Sequence, residues 1–143
     1  MSEQAAWLAG FYEGEGNIHS KIRFSPYQRI LWWSLAQKDE SQFSLLRAKE
    51  ILTDIGIQDK YIRLEYLKSG KCWYLRLHHY ESIEIVCKAM WDWLSPRRKG
   101  QIQEAFLVYC EDFIPSKKSP KEVYSELCEA SLGDSFPRLR AAK

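Results

Sequence analysis

The spacing of apolar positions changes period several times along the chain. Ala5, Ala6, Trp7, Leu8, Ala9 and Phe11 follow a capping Ser2 with Glu3 in the first turn, and the run stops near Gly14 and Gly16, which predicts a short first helix. From Asn17 the period becomes two, with His19, Lys21 and Arg23 alternating against Ile18, Ile22 and Phe24, as in a half-exposed strand. Ser25, Pro26 and Tyr27 make a turn, and residues 29–37, rich in Trp and Leu, read as an antiparallel second strand. Helical spacing returns over residues 39–55 through Phe43, Leu46, Ile51, Leu52 and Ile55, closed by Gly56.

The middle of the chain repeats the strand theme. Residues 60–66 and 71–78 are β-rich runs joined at Lys68, Ser69 and Gly70, with Trp73, Leu75 and Leu77 facing the core and Tyr74 and Arg76 facing out. Three helices follow: one on Ile83, Val86, Cys87, Met90 and Leu94, one on Ile102, Ala105, Phe106, Tyr109 and Phe113, and one on Val123, Tyr124, Leu127 and Cys128, begun by Ser119 and Pro120. The order αββαββααα predicts an α+β fold in which helices cover one face of a four-stranded antiparallel, saddle-like sheet.

Length and composition fit one domain spanning residues 1–143, with residues 137–143 as a frayed basic tail. With 45 % apolar residues and six Trp, the chain has enough apolar surface for a real core, which excludes disorder, collagen and coiled coil. Trp and Tyr read mainly as core, with Trp32 the exception, and Lys117, Lys118 and Lys121 as a solvated loop and helix start. Cys72, Cys87, Cys110 and Cys128 form no C-x-x-C pair, so they read as plain thiols of a reducing compartment rather than a zinc or redox centre. No signal peptide and no membrane-spanning run is visible, and the expected location is intracellular.

Charge changes the picture. Residues 1–16 hold three acids and no Lys or Arg, whereas residues 17–76 hold eleven bases against six acids. Parity along the strands puts His19, Lys21, Arg23, Ser34, Arg63, Glu65, Tyr74 and Arg76 on the face away from the helices, and the same register adds Gln28, Ile30 and Trp32. Such a face is either simply solvated or a ribbon for the DNA major groove, where Arg and Lys read guanine, amides read adenine and apolar groups meet thymine methyls. Ile30 and Trp32, apolar on a basic surface, tilt the reading toward bases.

The candidate chemistry lies at the end of the first helix. Ala9, Gly10, Gly14 and Gly16 are small residues that let two helices approach closely, and glycine weakens a helix by about 1 kcal/mol relative to alanine, so several together need a compensating role. Glu15 sits where the helix dipole disfavours an anion and therefore needs a cation; with the Gly14 carbonyl it offers the hard oxygen ligands that suit Mg²⁺. Glu13 and Glu15 are two apart and point to nearly opposite sides, so they make no glycosidase pair. His78 and His79 are adjacent on a strand and point apart, which argues against zinc.

The segment L-A-G-F-Y-E-G-E-G, Leu8 to Gly16, resembles the signature of the LAGLIDADG homing endonucleases, with Glu in place of both usual acids, and the element order is similar to their single-motif members. The resemblance implies a Mg²⁺-dependent (or Mn²⁺-dependent) double-strand DNA endonuclease that acts as a homodimer on a long pseudo-palindromic site and leaves 3′ overhangs. It implies an intron- or intein-borne mobile element, working alongside the DNA of its host compartment with no small-molecule cofactor and no membrane. By the same resemblance Glu15 and Gly14 bind metal, Gln37 positions water, and Arg98, with Lys99 as the alternative, supplies the basic catalytic group. The sheet residues above contact DNA, and Trp7, Leu8, Gly10, Phe11 and Gly14 form the dimer interface. A non-cleaving splicing cofactor or transcription regulator on the same scaffold is the alternative function.

Overall fold

The computed structural model describes residues 2–24, 27–38 and 42–111. The helix expected near Val123 and the tail at 137–143 lie outside these residues. The elements run α1 (Ser2–Glu15), β1 (Gly16–Phe24), β2 (Tyr27–Lys38), α2 (Phe43–Asp54), β3 (Ile62–Leu67), β4 (Cys72–Leu77), α3 (Tyr80–Met90) and α4 (Pro96–Glu111). These are the first eight elements of the expected order. Single 3₁₀ turns at Asp59–Tyr61 and Trp91–Trp93 precede β3 and follow α3.

All neighbouring strands are antiparallel, in the order β1-β2-β4-β3, so two local hairpins are joined by one seam between β2 and β4. That seam is short: Trp33 to Lys38 of β2 pair with β4, whereas β1 and β2 pair from Gly16↔Leu35 out to Phe24↔Tyr27. Beyond Trp33 the β1–β2 hairpin is therefore a two-stranded arm. The helices sit on one face, where Leu31, Trp33, Leu35, Leu75 and Leu77 are buried against Leu8, Tyr12, Leu45, Leu52, Val86 and Phe106. Cys87 is a buried thiol in this core, while Cys72 on β4 is half-buried.

Several boundaries depart from the pattern for local reasons. Ser2 is already helical rather than a cap. α2 begins at Phe43, not at residue 39, and ends in a Schellman turn in which Ile57 N–H donates to Leu52 O and Gly56 N–H to Thr53 O. Gly56 takes φ 108°, a left-handed value that only glycine adopts without strain. In the β3–β4 turn the positive φ falls on Lys71, at 50°, rather than on Gly70. No helix among the described residues is long and apolar enough to cross a membrane.

Candidate nucleic-acid interface

The register places all eleven sheet residues singled out above on the face opposite the helices. Counting outward from the end of α1, the cross-strand rows are Ala36–Tyr74–Glu65, then Asn17–Ser34–Arg76–Arg63, then His19–Trp32, then Lys21–Ile30, and last Arg23–Gln28. For Arg23 and Gln28 the description covers the backbone pairing alone. Within the inner rows the two arginines differ. Arg76 is held, with Nη1 3.4 Å from Glu65 Oε1 and its guanidinium 4.8 Å from the Tyr74 ring centroid. Arg63 is exposed and has no partner among the described residues. Ser34 faces this side but is only 5 % exposed, so its hydroxyl is sheathed by its neighbours rather than presented.

Sequence reasoning assigned His78 no role, yet it extends the aromatic row. The rings of His19 and Trp32 are 4.6 Å apart, and those of Trp32 and His78 are 6.4 Å apart. Burial, then the Arg63 and Arg76 guanidiniums, hold the His78 imidazole below its ordinary 6.5, with Glu65 opposing weakly. His79 instead turns to the helix side, where its Nδ1 pairs with Ser82 Oγ at 2.8 Å and its ring stacks on Tyr61.

Glu15 ends α1 at the inner edge of this face. It is exposed, and no side chain among the described residues pairs with it. α1 lies with Ala5, Leu8, Ala9 and Tyr12 inward and Gly10 and Gly14 outward, and a Cβ added at either glycine meets nothing within 4 Å. Leu8 was expected at a dimer interface. It is 0 % exposed, in the core of its own chain, because it shares the inward stripe with Ala5, Ala9 and Tyr12. Trp7 and Phe11 flank the open strip in T-shaped contact, with the Arg47 guanidinium of α2 over the Trp7 ring. Gly16 is required where it stands, since a Cβ there would run into the Tyr12 ring.

Arg98, expected to act on the reacting phosphate, has other work. It is 8 % exposed, donates Nη2 and Nε to the Glu13 carbonyl at 2.8 and 3.3 Å and Nη1 to Gln101 Oε1 at 2.9 Å, and lies over the Tyr12 ring. A guanidinium so committed is a strut, not a reaching group. Lys99 is half-buried, with Nζ 5.4 Å from the Trp91 ring centroid. Gln37 lies at the end of β2 on the helix-covered side, paired in register with Trp73, and is half-buried with no hydrogen-bond partner among the described residues.

No group of three or more His, Cys, Asp or Glu converges among the described residues. One unpartnered carboxylate at a helix C-terminus nevertheless fits half of a Mg²⁺ site, because Mg²⁺ is commonly held by one or two carboxylates together with phosphate oxygens and water.

No protein-family model and no curated protein sequence matches the chain. Among solved structures it is similar to the homing endonuclease I-CvuI in complex with its target in the presence of 2 mM Ca, at TM-score 0.60 and 20 % identity, covering 92 % of this chain and 81 % of that one. It is also similar to the homing endonuclease I-TnaI, at TM-score 0.53 and 15 % identity over 76 % and 71 % of the two chains. A third is the I-LtrWI LAGLIDADG homing endonuclease bound to target DNA, at TM-score 0.57 and 14 % identity over 78 % of this chain and 39 % of that one. The helix order, the four-stranded antiparallel sheet and these likenesses together show that this chain has the fold of the LAGLIDADG homing endonucleases.

Proposed function

We propose that the chain is one subunit of a homodimeric, site-specific DNA endonuclease of the LAGLIDADG type. The observation that carries the reading is the placement of Glu15, an exposed carboxylate with no partner among the described residues, at the inner end of a cationic sheet face, in a chain with this fold. The open strip of α1, with Gly10 and Gly14 at its centre, is the surface for a second copy, which brings a second Glu15 to the same place. The alternating rows then lie along the major groove on either side. Successive rows on one face are about 7 Å apart, close to two base-pair steps, so each row addresses its own part of a half-site.

When bound, a divalent cation supplies Lewis-acid stabilisation of the reacting phosphate and lowers the pKa of a water. The residues of this chain do the rest. Glu15 and the Gly14 carbonyl would hold the cation, Gln37 would hydrogen-bond a water, and Lys99 would place positive charge near the phosphate. Arg63, Lys21 and Arg23 contribute base or phosphate contacts, and Trp32 contributes an apolar surface flanked by the His19 and His78 imidazoles. The resemblance to the LAGLIDADG family implies cleavage with 3′ overhangs, and a two-fold dimer implies a pseudo-palindromic site.

The experiment is cleavage of a randomised duplex library by the purified protein with Mg²⁺ beside Glu15→Gln, followed by sequencing of the cut ends. Palindromic sites cut only by the parent support the proposal. Sequence-selective binding by both proteins with no cutting by either replaces it with the non-cleaving reading. That reading has one feature in its favour, the extra methylene of Glu at a position where the family signature carries Asp.

A further inference from the structure

We infer that Glu13, Ser95 and Arg98 form a positioning lock that sets how Glu15 is presented, an inference that rests on the endonuclease reading above. The lock is a closed ring of hydrogen bonds between chain segments 82 to 85 residues apart. The Glu13 carboxylate accepts from the Ser95 backbone N–H and, at 3.0 Å, from the Ser95 hydroxyl. That hydroxyl oxygen in turn accepts from the Arg98 backbone N–H at 3.2 Å, which makes Ser95 the N-cap of α4. Arg98 closes the ring by sending Nη2 and Nε back to the carbonyl of the same Glu13.

Glu13 is thus gripped through both its side chain and its main chain, two residues before Glu15. The consequence is local. The last turn of a helix frays because its carbonyls lack partners, and Gly14 in this turn adds backbone freedom. Arg98 takes the Glu13 carbonyl with two donors and puts a buried cation at the negative end of the helix dipole. Glu15 has no side-chain partner among the described residues, so its position is inherited from this grip. Gln101, which accepts from Arg98 Nη1, fixes the guanidinium plane from the next turn of α4. The first acid of the motif is therefore a positioning residue, as is Arg98, and neither touches the reacting atoms.

Lysine separates charge from geometry at this position, since it keeps the cation and loses the two-donor grip. The test uses full-length Arg98→Lys and, as a milder break that buries no new charge, Ser95→Ala. Near-UV circular dichroism checks the fold. Affinity for a duplex selected by the parent is measured with and without Ca²⁺, and single-turnover cleavage with Mg²⁺. The expected result is Ca²⁺-free affinity within about twofold of the parent, loss of most of the Ca²⁺-dependent gain in affinity, and cleavage slowed by about a hundredfold in Arg98→Lys, with a smaller loss in Ser95→Ala. The inference is overturned if Arg98→Lys keeps both the Ca²⁺-dependent gain and the parental rate, or if Ca²⁺-free binding falls as far as cleavage does. A parent that neither binds nor cuts any duplex removes the endonuclease reading, and this inference with it.

Discussion

Tyr12 is the residue on which the end of α1 rests. Its ring stacks on Trp33 at 5.6 Å between centroids, lies under the Arg98 guanidinium and presses against Gly16, while its hydroxyl is buried with no hydrogen-bond partner among the described residues. Ring and hydroxyl therefore separate on mutation. Tyr12→Phe is expected to leave stability unchanged or raise it, because it removes an unpaired buried polar group, whereas Tyr12→Ala is expected to cost about 3–5 kcal/mol in denaturant unfolding. Gly16→Ala should destabilise the parent and do so much less in a Tyr12→Ala background, a coupling that a double-mutant cycle reads directly. Burial pushes the Tyr12 phenol and the Cys87 thiol far above their ordinary 10.0 and 9.0. Both stay protonated in the folded chain while the unfolded chain loses these protons. Stability is accordingly full below pH 9 and falls above it, by up to about 1.4 kcal/mol per pH unit per group, as thermal melts across that range will show.

At the scale of elements, strands were easier to read from sequence than the first helix. Period-two alternation fixes which side chains share a face, so the open face of the sheet followed from residues such as Lys21, Trp32 and Arg76 without any long-range information. α1 is apolar or small on both sides: Leu8, Ala9 and Tyr12 face the core while Gly10 and Gly14 face out, so periodicity gives no direction and Leu8 fell on the wrong side. The Glu13–Ser95 tie spans 82 residues and left no local signal at all. Two expectations belong to the sheet face. Arg63→Ala, at a position with no partner among the described residues, should cost about 1–3 kcal/mol of discrimination at one base pair, read by selection from a library, while Arg76→Ala also releases the Glu65 carboxylate toward DNA and weakens binding to every sequence. Burial, then Arg63 and Arg76, lower the His78 imidazole below its ordinary 6.5, and a phosphate brought beside it favours the protonated form. Duplex affinity should therefore rise as pH falls toward and below the imidazole's ordinary 6.5, with a shallower slope in His78→Ala.

For the whole molecule, the uncovered strip of α1 opposes stability and assembly. Gly10→Ala has room for its methyl group within one chain and should raise helix stability by about 1 kcal/mol, yet it should weaken self-association, a pair of opposite signs checked by thermal melts at low concentration and by sedimentation. A chain that is monomeric regardless of this substitution contradicts the dimer. The same separation of parts appears in the sheet. Because the β2–β4 seam stops at Trp33, the arm that carries Lys21, Arg23, Gln28 and Ile30 shares no ladder with β3 or β4. Substitutions along it leave the β2–β4 and β3–β4 ladders untouched, and their effects on binding should add to those at Arg63 or Tyr74. For the endonuclease proposed above, the outer positions of the recognised site can therefore change one at a time while the end of α1 stays as it is.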